Sequence, residues 1–264
     1  MVRPTVVAFN SASVDGRIAA SADALLLHGD ARWQAIETWA PAPPKAGPFS
    51  VARASYNPDA TLEGSGSFVR EADVPAPLPA FEGDPALLYN DYMPDEIVHR
   101  PGHRGWFVVL DGRGRVRDWI ADGSVFGPEW AGWHLLVLVA EHTPAAYLAY
   151  LQRERIPYLV AGSEGTHVDL ELALDKLHER LGIGCVLSTA GGRLNGALLR
   201  AGLIDEVNVE YLPAIIGGRT TPALYDAPAL GRDDMPARLD LISCQVLSGG
   251  RIWARYRVHT SDAT

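Results

Sequence analysis

Three unbroken apolar runs constrain the fold of this chain more than any other feature: "HLLVLVA" at 134–140, "YLVAG" at 158–162 and "CVLS" at 185–188. Each is too short to be a buried helix on its own and reads as a strand covered on both faces. Stretches of helical period separate them. Pro144 opens a helix through "AAYLAYLQRER", and "DLELALDKLHERLG" sets Leu170, Leu174, Leu177 and Leu181 on one helical face, with Asp169 as cap and Gly182 as stop. Buried strands alternating with helices predict right-handed crossovers in a mostly parallel sheet. The end of the chain differs. "LDLISCQVL", "SGG" and "RIWARYRV" predict an antiparallel hairpin closing one edge.

The first half is less regular. "TVVAF" at 5–9 is a strand signal, and Asp15-Gly16 marks the turn that follows. "DARWQAIETWA" predicts a helix capped by Asp30, with Trp33, Ile36 and Ala40 on one face. Residues 41–105 hold "PAPPKAGPF", "ADVPAPLPAFEGDP" and "HRPGHRG", so loops should dominate there, because proline supplies no amide hydrogen to a ladder or helix. "WFVVLDGRGRVRDW" then reads as a strand, an Asp-Gly turn and a second extended piece, its basic residues on a solvated hairpin. The whole is expected to be a single α/β domain over residues 1–264, with a mixed, mostly parallel central sheet, flanking helices and a C-terminal antiparallel hairpin.

Composition excludes several function classes. A formal charge of −9 argues against general binding to nucleic acid or an anionic membrane. The longest apolar run is far too short to span a bilayer, and the opening "MVRPTVVAFNSASVDG" turns polar too soon for a signal peptide, so a cytoplasmic protein is expected. Cys185 and Cys244 can make neither a disulfide framework nor a thiolate metal site, and both read as buried reduced thiols. The histidines are scattered; His99 and His103 sit in a proline-glycine loop without a third ligand, and no metal is expected.

Gly191 and Gly192 follow the strand "CVLS" and precede a helix expected over residues 195–201 and ended by Gly202. Two readings of this pair stand side by side. Glycine lets backbone amides approach a ligand, and the positive end of the next helix favours an anion such as a pyrophosphate. A tight strand-to-helix turn without a ligand needs the same residues. The usual dinucleotide fingerprint is absent: "GIGCVL" has Leu187 where the third glycine belongs and precedes a strand, and "GSGSFV" ends in Val69.

"FNSASVDGRIA" near the start, "YLVAG", and "GGRLNGALLRAGLIDEVNVEYLPAIIGG" together resemble the reductase (C-terminal) family of riboflavin-biosynthesis proteins, which shares the dihydrofolate reductase fold. The resemblance covers the first twenty residues and most of 106–258. It implies an NADPH-dependent reductase, usually a homodimer, whose substrate in that pathway is a ribosylamino-pyrimidine phosphate. Carried onto this chain, it implies that Gly191, Gly192, Arg193 and Leu194 cover the cofactor pyrophosphate. Ala161 and Gly162 would flank the cofactor at the end of the neighbouring strand. Gly64, Ser65 and Ser67 would serve the adenosine side, including a 2′-phosphate. Backbone at Ser11 and Ile18 would contact the nicotinamide carboxamide, and Asn10 and Asp15 would face or shape the substrate pocket. Aspartate before glycine is also a turn former, and both roles can hold for Asp15.

The chain departs from the family at one position that bears on chemistry. Many members have glutamate followed by three glycines, whereas this chain reads Thr189-Ala190-Gly191-Gly192. Threonine offers a hydrogen bond but no general base near neutral pH. No His-x-Glu with Pro-Cys-x-x-Cys is present, so no deaminase partner domain is expected. Trp33, Trp39, Trp119, Trp130 and Trp133 could line a pocket for a planar substrate or simply pack in the core. The leading expectation is hydride transfer to a C=N or similar bond of a heterocyclic metabolite. Two rivals are the same fold and cofactor with a pterin or specialised imine as acceptor, and a nucleotide-binding protein without catalysis.

Overall fold

The structure, a computed structural model, describes residues 3–25, 30–41, 47–162 and 167–259. Contacts divide them into two units, each drawn from separate stretches of chain: 3–4, Pro58–Ser65 and Glu71–Gly184 in one, Thr5–Asn57, Gly66–Arg70 and 185–259 in the other.

The first unit contains the apolar strands that the sequence marks most clearly. β2 (Ala60–Gly64), β3 (Gly105–Leu110), β4 (Trp133–Val139) and β5 (Tyr158–Val160) run parallel in the order β5-β4-β3-β2. Every residue of β4 is buried. Helices α3 (Asp95–Val98), α4 (Ala145–Arg153) and α5 (Leu170–Leu181) belong to this unit. In α5 the expected cap holds: the Asp169 carboxylate accepts the Leu172 amide at 3.0 Å, and Gly182 ends the helix at φ 66°.

The second unit is built on β1 (Thr5–Ser13), which pairs parallel with both β6 (Cys185–Ser188) and β7 (Glu206–Leu212). β9 (Ile252–Val258) joins β7 antiparallel, and β8 (Leu239–Val246) joins β9 antiparallel, which is the expected terminal hairpin. Its helices are α1 (Ala31–Trp39), α2 (Pro48–Tyr56) and α6 (Gly192–Arg200). Asp30 caps α1, accepting the Arg32 amide at 2.8 Å. Phe49, Ala52 and Tyr56 of α2 pack with Val7, Phe9, Leu187 and Trp253. Within the two units the sheet is therefore mixed and mostly parallel, as expected.

Several expectations need correction. Residues 41–105, where loops are expected to dominate, also hold α2, which no local reading marked: it forms because Pro48 suits a first helical position and Asn57 ends the helix in the left-handed region at φ 43°. α6 begins at Gly192 instead of residue 195, so the second glycine is itself helical. "DGRGRVRD" makes no hairpin; after the turn the chain wraps on Asp111, whose Oδ2 accepts the amides of Arg115 and Val116, each at 2.8 Å, and the Tyr147 hydroxyl at 2.8 Å. Cys244 is exposed, because β8 is an edge strand with most of its residues open on both faces. Trp39 is exposed, while Trp130 and Trp133 pack around Phe107, so the tryptophans do not gather into one planar pocket.

A buried ion pair fastens the second unit. Arg251 Nη1 donates to Glu210 Oε1 at 2.7 Å, with both side chains almost fully enclosed. Arg251 Nε donates to the carbonyl of Ala40, which ends α1, and a cation suits a helix C-terminus. Glu210→Ala would leave the guanidinium charged and alone, so urea denaturation should show a loss of about 3–5 kcal/mol. Replacing both partners with methionine should cost much less, since no buried charge remains. Equal losses from the single and double replacements would contradict this account.

Candidate functional site

The strand–glycine–helix stretch folds around one buried side chain. Asn195, in the first turn of α6, is completely enclosed. Its Oδ1 accepts from Ser188 Oγ at 2.7 Å, and its Nδ2 donates to Asn10 Oδ1 at 2.8 Å and to the Ala190 carbonyl at 2.9 Å. Asn10 Nδ2 donates to that same carbonyl at 3.0 Å. A completed amide network of this kind fixes geometry, because any missing partner would leave a buried polar group unsatisfied. It joins the carboxyl end of β6, the outer part of β1 and the start of α6. Asn10 was named from the sequence; Asn195 and Ser188 were not. The available signal was position: Asn195 lies three residues before Leu198 and four before Leu199, on the apolar side of the helix.

Gly191 is the N-cap of α6 with extended backbone, and no side chain among the described residues caps it. The helix therefore presents Gly191, Gly192, Arg193 and Leu194 at an uncapped amino end, which suits an anion such as a pyrophosphate. The reason for glycine at 192 differs from the expectation. A Cβ there would stand 2.0 Å from the Ala223 carbonyl oxygen and 3.0 Å from the Asp226 amide nitrogen. The Asp226 amide also donates to the Gly192 carbonyl at 2.9 Å. Gly192 thus makes room for the protein's own chain, and a larger residue there tests packing before ligand approach. Gly196 repeats this one turn on, where a Cβ would lie 2.8 Å from the Ala227 nitrogen. Thr189 is half-buried between Ser188 and Ala190.

Asp15 is a turn clamp. Its Oδ1 accepts from Ser13 Oγ at 2.6 Å and from the Ile216 amide at 3.1 Å, and its Oδ2 accepts from the Gly217 amide at 2.7 Å. These bonds, the Ser13 hydroxyl first, lower its pKa from 3.8 to about 2. A carboxylate so held is ionised near neutral pH and is no proton donor there. Ser11 Oγ donates to Glu210 Oε2 at 2.9 Å, which brings Ser11 into the buried ion pair. The Ile18 amide donates to the Pro222 carbonyl at 3.0 Å, so a carboxamide contact at Ile18 falls to its carbonyl alone.

In the first unit, Gly64 ends β2 and residues Ser65–Ser67 make one 3-10 turn, with Ser65 half-buried. Ser67, assigned to the other unit, is buried. Ala161 and Gly162 follow β5, and Gly162 takes φ 134°. β5 lies beyond β4 and β3 from β2, about 14 Å at the usual strand spacing. The structure therefore does not set Ala161 and Gly162 beside Gly64 and Ser65. A cavity of about 540 Å³ lies along β5, where Asp91 accepts from the Val160 amide and from Lys176; His99 lines it, but none of the cofactor or substrate residues expected from the sequence does. Among the described residues no group of three or more His, Cys, Asp or Glu could hold a metal, and His134 is lowered to about 4, chiefly by burial.

Residues 88–252 match the family described as the RibD C-terminal domain, more than half of the chain. The chain belongs to that family. A 2,5-diamino-6-ribosylamino-4(3H)-pyrimidinone 5′-phosphate reductase of Methanothermobacter thermautotrophicus is 38% identical over 152 residues, 56% of this chain and 66% of that protein. A reductase of the same description from Archaeoglobus fulgidus is 37% identical over 59 residues, 22% of this chain and 26% of that one. Both matches span less than two thirds of those relatives' lengths. Among solved structures, a pyrimidine reductase-like protein of Corynebacterium diphtheriae has a TM-score of 0.59 at 18% identity, covering 98% of this chain and 93% of that one. The Saccharomyces cerevisiae riboflavin biosynthesis reductase has 0.55 at 13%, covering 98% and 91%. These likenesses show the fold, which for this RibD C-terminal family member is the dihydrofolate reductase-like α/β fold.

The pKa of Asp15 gives the site a pH signature. Because its folded value lies below the unfolded one, its stabilising contribution is present above about pH 4 and is lost as pH falls through about 2. Asp15→Asn should lower the urea midpoint at pH 7, and the gap from the unmodified protein should close as pH approaches 2. A gap that stays constant across that range would contradict the clamp.

Proposed function

We propose that this RibD C-terminal family member is an NADPH-dependent reductase that transfers hydride to a C=N or similar bond of a heterocyclic metabolite. The observation that carries the reading is the uncapped amino end of α6 at the carboxyl end of β6, inside the stretch that matches the family. Open α/β sheets bind ligands outside the carboxyl ends of their strands. The residues present suit a pyrophosphate: consecutive backbone amides, an extended glycine cap and, among the described residues, no side-chain cap on the helix. When bound, NADPH supplies a hydride equivalent; the chain's part is to bind, orient and keep the pocket dry. We propose that Gly191, Gly192, Arg193 and Leu194 hold the pyrophosphate and that the two units act as one reductase domain.

Reduction of a C=N bond adds hydride to carbon and a proton to nitrogen. Asp15 is ionised and clamped near neutral pH, and Thr189 is a weak acid, so neither is assigned as the donor. The proton then comes from solvent or from the substrate itself. The ribosylamino-pyrimidine phosphate named for the curated relatives is the first substrate to try. A different acceptor, such as a pterin or another cyclic imine, is favoured by one observation: Thr189 stands where many members carry glutamate.

A homodimer is proposed on the exposed apolar edge of the second unit. Leu241 and Val246 on β8 are 60% and 82% exposed, and Ile252 of β9 adds to them. An edge strand of this kind invites pairing with another copy unless it is covered.

The test is made on the purified chain, by following NADPH oxidation across a panel of pyrimidines, pterins and imines while light scattering reports mass. Turnover with the pyrimidine phosphate by a species of twice 28.5 kDa is the expected result. Turnover with another panel member alone selects the second acceptor class. Absence of binding to either NADPH or NADH would overturn the reductase reading.

A further inference from the structure

The cavity along β5 has no part in the reductase reading, and all of its lining lies within the first unit. At about 540 Å³ it is of the size that takes a small organic ligand. One wall, residues 89–93, is fixed in place. Tyr92 exchanges two backbone hydrogen bonds with Tyr158 of β5, at 2.9 and 3.0 Å, and the Tyr89 hydroxyl donates to the Thr143 carbonyl at 2.8 Å. Binding there costs little ordering of this wall.

The charges of the lining do not cancel among themselves. Lys176 Nζ donates to Asp91 Oδ1 at 2.8 Å and to the Val160 carbonyl at 2.7 Å. Lys176 is the only lysine among the described residues. Its compact ammonium suits the corner between a carboxylate and a carbonyl, and these bonds use two of its three donors. Arg180 lies one turn further along the same face of α5, with Nε 3.7 Å from Asp91 Oδ2. That distance is too long for a hydrogen bond, so the guanidinium fork is open to an incoming carboxylate. Asp95, which opens α3, and Glu141, which follows β4, also line the cavity. Among the described residues neither is in an ion pair. Met93, Val98, Val160 and Leu172 supply an apolar part of the lining.

This set of groups selects against ligands of one sign. A phosphate or a dicarboxylate would meet Asp95 and Glu141, and a divalent cation would meet Lys176 and Arg180. A molecule with one charge of each sign avoids both conflicts. We propose that the cavity binds an α-amino acid with an apolar side chain. Its carboxylate goes to the Arg180 fork and the spare Lys176 proton, its ammonium to Asp95 and Glu141, and its side chain to the apolar lining. The site uses no residue of the α6 amino end and stands whether or not the chain is a reductase.

The test is calorimetric titration of the full chain with L-leucine, N-acetyl-L-leucine, L-leucine methyl ester and inorganic phosphate, repeated for Arg180→Gln and Asp95→Asn. Both residues are exposed, so both variants should fold as the unmodified chain does. L-Leucine should bind, and each blocked derivative should bind about tenfold more weakly, because it lacks one of the two charges. Each substitution should weaken L-leucine roughly 5- to 20-fold. Arg180→Gln should leave the methyl ester within about twofold, and Asp95→Asn should do the same for the N-acetyl derivative, since the matching charge is already missing. If the two residues were merely structural, every ligand would weaken alike, which would overturn the inference. L-Leucine without measurable binding at about 10 mM, or phosphate binding more tightly than L-leucine, would overturn it as well.

Discussion

The amide of Asn195 is the interaction on which the placement of α6 depends. It is enclosed completely, and its bonds to Ser188, Ala190 and Asn10 reach β6, the connection beyond it and β1. A buried amide with incomplete partners is costly, so these segments hold one arrangement or lose stability together. That arrangement sets where α6 begins and hence where the amides of its first turn point. A helix amino end attracts an anion only within its first turn, and a small shift of the helix would move the site.

The second unit is organised from the opposite face of β1 as well. Residues 10 and 11 point to opposite sides of the sheet, as successive strand residues must. Asn10 enters the amide network, and Ser11 enters the Glu210–Arg251 pair that reaches the end of α1. Both faces of one short strand segment are therefore committed to polar networks. Polar groups at these positions are explained by positioning, and none of them is left over as an obvious acid or base. That fits a reaction in which the cofactor carries the difficult chemistry and the protein orients it.

What the sequence made legible follows the strength of its local signals. β4, β5, β6 and α5 were readable because their apolar patterns and caps agree, down to Asp169 and Gly182. α2 was hidden by the proline content around it, although Pro48 and Asn57 mark its ends once they are read as helix signals instead of breakers. "DGRGRVRD" looked like a hairpin because Asp-Gly favours turns; the long-range bond from Tyr147 to Asp111, which no local pattern reports, makes it a wrapped loop. Gly192 was singled out for the close approach of a ligand, whereas the group on its Cβ side is the chain near Ala223. Glu210 and Arg251 lie 41 positions apart in strands and turns whose alternation suggests exposure, so their pairing was beyond sequence reasoning.

The central claim is that the amides opening α6 receive the pyrophosphate of NADPH. Hydrogen–deuterium exchange with and without NADPH tests it most directly, because it reads those backbone groups themselves. The account predicts slower exchange at residues 191–194 on binding. Saturating NADPH that leaves 191–194 exchanging as before, while protecting another part of the chain, would contradict it.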